Sequence, residues 1–244
     1  GSSSSSSSKC PIRVAVRIRP GGSESEKKVV FAQGSSRVLL ELGAKQGGSR
    51  TFHFDVVFGP YAPQEELFEE LAKPVVEEVL QGFNSTIFAY GQTGSGKTWT
   101  VVGGQDGDDE GLIPRVVKAL FDDTAGLDAA IRVSCLEIYN EELSDLLATT
   151  AISTTSNGGG GSGGINTKGL TSPPPLRLVE SAAKEGQGVQ VKDLEEVLCA
   201  TKEECLSAIR RGVKGRRVAA TLCNDRSSRS HCVVTLKVCV RTIA

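Results

Sequence analysis

Eight consecutive residues, Gly91-Gln92-Thr93-Gly94-Ser95-Gly96-Lys97-Thr98, match the pattern G-x-x-x-x-G-K-S/T in full. Each fixed position has a physical reason. A polyphosphate must be met by several backbone N–H donors converging from one turn, and only residues without side chains let the chain bend and approach that closely, hence Gly91 and Gly96. Gln92, Thr93, Gly94 and Ser95 belong to the same cradle, and the N-terminus of the helix that follows adds a positive dipole. Lys97 brings an ammonium to the β- and γ-phosphates. The Thr98 hydroxyl is a hard oxygen ligand for Mg²⁺ bridging those phosphates. A glycine-rich turn matching by accident is expected roughly once in a hundred chains of this size. Nucleotide binding therefore follows from the residues themselves.

A second stretch offers complementary chemistry: Asn224-Asp225-Arg226-Ser227-Ser228-Arg229-Ser230-His231. Adjacent serines can supply one hydroxyl to a metal and another to a lytic water, and an arginine can pair with a distant carboxylate or phosphate. Taken alone, such a stretch is more often a solvated turn. His231 invites a reading as general base, but phosphoryl transfer needs positioning and charge stabilisation more than proton abstraction, so its expected role is structural. His53 reads as a surface residue. Asp106, Asp108, Asp109 and Glu110 read as a solvated acidic loop and not a metal cage. Arg210, Arg211, Lys214, Arg216 and Arg217 read as a solvated helix face ahead of a contact with an acidic filament.

Strands and helices must position these residues. Ile12, Val14, Val16 and Ile18 alternate with Arg13, Ala15 and Arg17, and Phe52, Phe54, Val56 and Phe58 alternate around His53 and Asp55, so both runs predict strands. Leu67, Leu71, Val75 and Val79 fall four apart among glutamates, predicting an amphipathic helix that Pro74 bends or divides. The apolar run 85–90 predicts the strand entering the phosphate loop, and a helix is expected from Lys97. Residues 131–139 predict a strand buried on both sides, followed by a short helix through Glu142 and Leu146. Thr201 and Glu204 form a capping box opening a helix that runs to Gly212. Val234, Leu236, Val238 and Val240 predict the last strand. The interleaving makes the class α/β.

Residues 149–175 are dominated by Thr, Ser, Gly and Pro and predict a flexible insertion within the domain 11–244, while the serine-rich head 1–10 is too polar to order itself. Gly1 followed by seven serines, in a chain without methionine, suggests a processed, tagged or internal piece. Lys plus Arg number 28 against 29 Asp plus Glu, so bulk charge gives no argument for nucleic acid or membrane. No apolar run approaches the roughly 20 residues that cross a bilayer. Seven cysteines without a C-x-x-C pair fit reduced thiols, with Cys135, Cys232 and Cys239 expected in the core.

With the phosphate loop in place, residues 224–231 resemble switch I of kinesins, N-x-x-S-S-R-S-H. Arg17-Ile18-Arg19-Pro20 resembles the family's adenine-side R-x-R-P, and Phe88-Ala89-Tyr90, Gly111-Leu112-Ile113-Pro114-Arg115, Glu137-Ile138-Tyr139-Asn140-Glu141 and Asp145-Leu146-Leu147 agree. Myosins share a related switch I, but Ser230-His231 and R-x-R-P favour kinesins. Lys192-Asp193-Leu194-Glu195-Glu196 and Ala219-Ala220-Thr221-Leu222 look most like the mitotic bipolar class.

The resemblance implies a P-loop NTPase fold of kinesin type, a central, mostly parallel-type mixed sheet flanked by helices. It implies an ATP- and Mg²⁺-dependent microtubule motor of cytoplasm and cytoskeleton, and leaves open a homo-oligomer through a coiled coil outside this chain. Arg17, Arg19 and Pro20 would border the adenine, Asn224 would contact the nucleotide, Ser228 would join Thr98 around Mg²⁺, Ser227 would position the attacking water, and Arg229 would latch the two switches. A second switch, D-x-A-G, and both strands flanking the phosphate-loop strand are expected in later sequence. The sheet is therefore expected to be incomplete at the C-terminus, and residues 1–244 alone to be aggregation-prone and nearly inactive. A nucleotide-binding, tubulin-binding scaffold without turnover is the alternative, and a small-molecule P-loop kinase lacks a visible acceptor site.

Overall fold

The computed structural model describes residues 12–21, 29–43, 47–104, 109–148, 176–180, 189–222 and 229–241. The head 1–10 and the insertion 149–175 lie outside them. The chain divides into two compact units, Gly1–Val116 and Val117–Ala244.

In the first unit, β1 (Ala15–Arg17) pairs in parallel with β5 (Val56–Phe58), and β2 (Val30–Gln33), β3 (Arg37–Glu41) and β4 (Ser49–His53) form an antiparallel sheet. The alternating run around His53 therefore serves two sheets instead of one strand. The break is chemical: the Asp55 carboxylate accepts the Val14 N–H at 2.7 Å, taking that stretch out of the β3 ladder and handing β5 to β1. His53 is exposed, as expected.

The predicted amphipathic helix is present in three pieces, α1 (Gln64–Leu67), a π-helical turn (Phe68–Ala72) and α2 (Lys73–Leu80). Pro74 lacks an N–H and its ring would clash with the carbonyl one turn back. A widened turn just before it relieves both conflicts. Leu67 and Ala72 join Val56, Phe58 and Leu112 in a buried cluster. Next come α3 (Lys97–Val101) and α4 (Leu112–Asp123), and the loop between them is closed at its base by an antiparallel bridge of Gly103 with Glu110.

The run 85–90 is not a strand. It enters no ladder, and Phe88 and Tyr90 are 88% and 101% exposed. A strand exists only where a neighbour takes its N–H and C=O groups, and no described strand lies beside this one.

The second unit is built on β6 (Ala129–Tyr139), with β11 (Ser230–Val240) antiparallel along its whole length and β10 (Val197–Cys199) and β7 (Glu142–Asp145) sharing its other edge. The segment through Glu142, expected to be helical, is thus the return strand of a hairpin. Asn140 and Glu141 both take positive φ (49° and 63°), the conformation that turns a two-residue hairpin with the right twist. In addition, β8 (Arg177–Glu180) pairs antiparallel with β9 (Val189–Lys192).

Helix α5 (Lys202–Leu222) opens on the predicted capping box: the Thr201 hydroxyl accepts the Glu204 N–H, and the Glu204 carboxylate accepts the N–H of Ala200. It does not stop at Gly212. That glycine is buried against the sheet, and tertiary packing carries the helix past it. Cys135 is buried as expected, whereas Cys239 is exposed on the uncovered side of β11. Mixed sheets with helices result, the parallel pairing among the described residues being β1 with β5.

Candidate functional site

The phosphate loop begins where the exposed run ends. Gly96 has φ +102°, a left-handed value that glycine adopts without penalty, and this single residue turns the loop into α3. A second turn closes through the Ser95 N–H donating to the Gln92 carbonyl at 3.1 Å, so the loop folds over itself before the helix starts. The Lys97 ammonium donates to the carbonyls of Gly91 (2.6 Å) and Gln92 (2.9 Å), reaching back across the loop mouth. An ammonium has three N–H donors, which leaves one for an anion in the mouth. Thr98 lies exposed in the first turn of α3. Because α3 is only 5 residues long, its dipole is small.

Arg19 donates to the Gly94 carbonyl from outside the loop, with Pro20 exposed beside it. Arg17 is placed differently. Its guanidinium donates to Gln64 Oε1 (2.9 Å), Thr100 Oγ1 (3.0 Å) and the Ala62 carbonyl (3.1 Å), and Gln64, 1% exposed, donates in turn to the Trp99 carbonyl at 2.7 Å. Burial pushes the Arg17 guanidinium below its ordinary value, with the Asp109 carboxylate acting against that. Arg17 therefore clamps the start of α1 to α3. Nothing in the sequence singled out Gln64 as its partner except its position just after Pro63, where a helix begins.

Of the hydroxyl-rich stretch, Arg229, Ser230 and His231 are described, and Asn224, Ser227 and Ser228 lie outside the described residues. Arg229 is exposed, Ser230 opens β11, and His231 faces outward. Asp109 and Glu110 are half-buried at the bridge that closes the α3–α4 loop. No cluster of His, Cys, Asp and Glu among the described residues could hold a metal, and no described helix is long and apolar enough to cross a membrane.

Arg210, Arg211 and Lys214 project from α5 into solvent as expected. Arg216 does not: it turns inward to Glu137, a carboxylate 2% exposed in the middle of β6. The signal for Glu137 was its place in the alternation Ile131, Val133, Cys135, Glu137, which continues the buried face. Asp145 also has a structural task. Its carboxylate accepts the N–H groups of Leu147 (2.8 Å), Ala148 (3.1 Å) and Glu195 (2.7 Å).

The model of the kinesin motor domain matches residues 16–244. This chain belongs to the kinesin motor domain family. It is 38% identical to the kinesin-like protein KIN-5A of Arabidopsis thaliana over 94% of this chain and 22% of that protein. It is 35% identical to the kinesin-like protein Klp61F of Drosophila melanogaster, over 94% of this chain and 21% of that one. These relatives agree with the class that residues 192–196 and 219–222 resemble. A solved structure described as that of a fast kinesin, with implications for ATPase mechanism and interactions with microtubules, superposes with a TM-score of 0.76 at 32% identity, covering 93% of this chain and 59% of that one. The fold is thus the kinesin motor fold, and the chain spans about a fifth of the length of the curated relatives it matches.

Proposed function

We propose that this kinesin chain is part of an ATP-hydrolysing microtubule motor, with residues 91–98 holding the triphosphate. The observation that carries the reading is the loop itself: left-handed Gly96, the Ser95–Gln92 turn and the Lys97 ammonium at the mouth. Lys97 would supply its remaining donor to the phosphates, and the exposed Thr98 hydroxyl fits a hard-cation ligand. Mg²⁺, when bound, would neutralise charge spread over the phosphate oxygens. Arg19 and Pro20 would border the base. Arg17, by its contacts, would act on the site by holding α3 to the start of α1. Asn224, Ser227, Ser228 and Arg229 would supply the hydroxyls and the latch, and microtubules would be the partner that accelerates turnover.

The test is ATP turnover by the longest natural chain containing these residues, with and without microtubules. Stimulated turnover is expected, and Lys97→Met should lower it by about 10²–10³-fold, the scale for removing one donor that stabilises transition-state charge. Tight ATP binding with no turnover in either condition would overturn the motor reading in favour of a scaffold.

A further inference from the structure

Gly212 fixes where α5 touches β6. A Cβ there would lie 3.1 Å from Cys135 Cβ, 3.2 Å from Cys135 Sγ and 3.3 Å from Leu147 Cδ2, so helix backbone and strand side chains are already in contact. From that point the two elements run in step. Four residues of helix rise about 6 Å, and two residues of strand advance about 6.6 Å. Arg216 is four residues after Gly212, and Glu137 is two after Cys135, on the same face of each element. They meet, with Arg216 Nε 3.4 Å from Glu137 Oε1.

The same guanidinium also holds Ser230. Nη2 donates to the Ser230 carbonyl at 2.8 Å and to Ser230 Oγ at 3.1 Å, and Nε lies 3.3 Å from the same hydroxyl. Ser230 is the first residue of β11, paired with Tyr139. Holding both its carbonyl and its hydroxyl fixes the peptide plane and the χ1 rotamer together, which a single point charge cannot do. Cys232, opposite Glu137 in the ladder, senses both charges: its thiol is raised chiefly by burial, with Arg216 opposing and the carboxylate adding.

A buried ion pair is weak evidence for stability, because desolvation offsets much of its attraction. Its geometry is more informative. Ser230 follows Ser227, Ser228 and Arg229 directly in the chain, the residues to which the functional reading gives the hydroxyls and the latch. We propose that Arg216, oriented by Glu137, is a positioning residue for ATP hydrolysis, acting by anchoring Ser230. The inference rests on the functional reading above and adds that this anchor sets the rate of turnover more than the affinity for nucleotide.

The experiment uses the longest natural chain with Arg216→Lys, Ser230→Ala and Ser230→Thr. Arg216→Lys and Ser230→Ala should each lower kcat for ATP by about tenfold or more, the scale of small misplacements near a reacting group, with KM for ATP within about twofold. Ser230→Thr, which keeps the hydroxyl, should restore most of the rate. In the nucleotide-free protein, amide exchange at residues 229–232 should quicken in Arg216→Lys. Unchanged kcat in Ser230→Ala, or a rate loss that only tracks a lowered thermal midpoint, would overturn the proposal, and so would unchanged exchange. Should Arg216→Lys fail to fold, the serine pair decides. A wild-type chain that does not hydrolyse ATP would defeat the functional reading instead, and the exchange measurement, made without nucleotide, would still judge the anchor.

Discussion

Residues 85–90 and the strand β6 are both apolar runs leading into glycine or turn residues, and they meet opposite fates. Val133 and Cys135 of β6 are fully buried, with β11 on one side, β10 and β7 on the other and α5 across one face. Phe88 and Tyr90 stand in solvent beside no described strand. The difference teaches that local sequence sets which residues can form a strand, while the neighbour that takes the backbone hydrogen bonds decides whether they do. The phosphate loop forms its turns even so, because Gly96 and the Lys97 contacts are local to residues 91–98.

Matched substitutions in the longest natural chain sharpen this contrast, beginning with the largest effect. Val133→Asp places an uncompensated carboxylate at a site with no exposure and should cost about 3–5 kcal/mol, read as a lost or sharply lowered urea midpoint. An unchanged midpoint would mean β6 is not the core of its unit.

Alkaline pH should act on the same strand. Burial is the main cause holding the Cys135 and Cys205 thiols up at about 12, against an ordinary value of 9.0. Their folded-state values exceed the unfolded ones, so the stabilisation is complete below about pH 9 and is lost as pH rises towards 12, where the unfolded chain releases protons that the folded chain retains. A urea midpoint falling across that window is expected, and Cys135→Ala should flatten the fall.

Thr201→Ala removes the hydroxyl that caps the helix lying on β6 and should cost about 0.5–2 kcal/mol, measurable by thermal melting. Phe88→Asp should be the smallest, within about 0.5 kcal/mol, and should reduce light scattering on concentration by breaking an exposed apolar run. A stability loss comparable to that of Val133→Asp would abolish the contrast between the two runs.

Much of this architecture could be read from the chain. Alternation located β6 and β11, the Thr201–Glu204 pair marked the first turn of α5, and Gly96-Lys97-Thr98 marked the loop. What escaped depended on residues far apart in sequence. Gly212 resembles a helix stop until Cys135 is seen beneath it, and Arg216 resembles one more solvated cation until Glu137 and Ser230 meet it. Residues 140–141 misled for a different reason: a two-residue left-handed turn is usually signalled by glycine, and Asn140-Glu141 makes it without one. Arg17 was legible as a residue of the site, but its partners Gln64, Ala62 and Thr100 come together only in three dimensions.

The bridge between Gly103 and Glu110 has a practical consequence. It shuts the α3–α4 connection at its neck, with the Gly104 N–H on the Asp109 carbonyl and the Gly111 N–H on the Val102 carbonyl. Chain spliced in beyond that neck would lengthen a closed ring without pulling on either helix, and doubling such a ring costs only about 0.6 kcal/mol. This makes the interval between residues 104 and 109 the natural place to graft a reporter peptide while leaving the phosphate loop undisturbed.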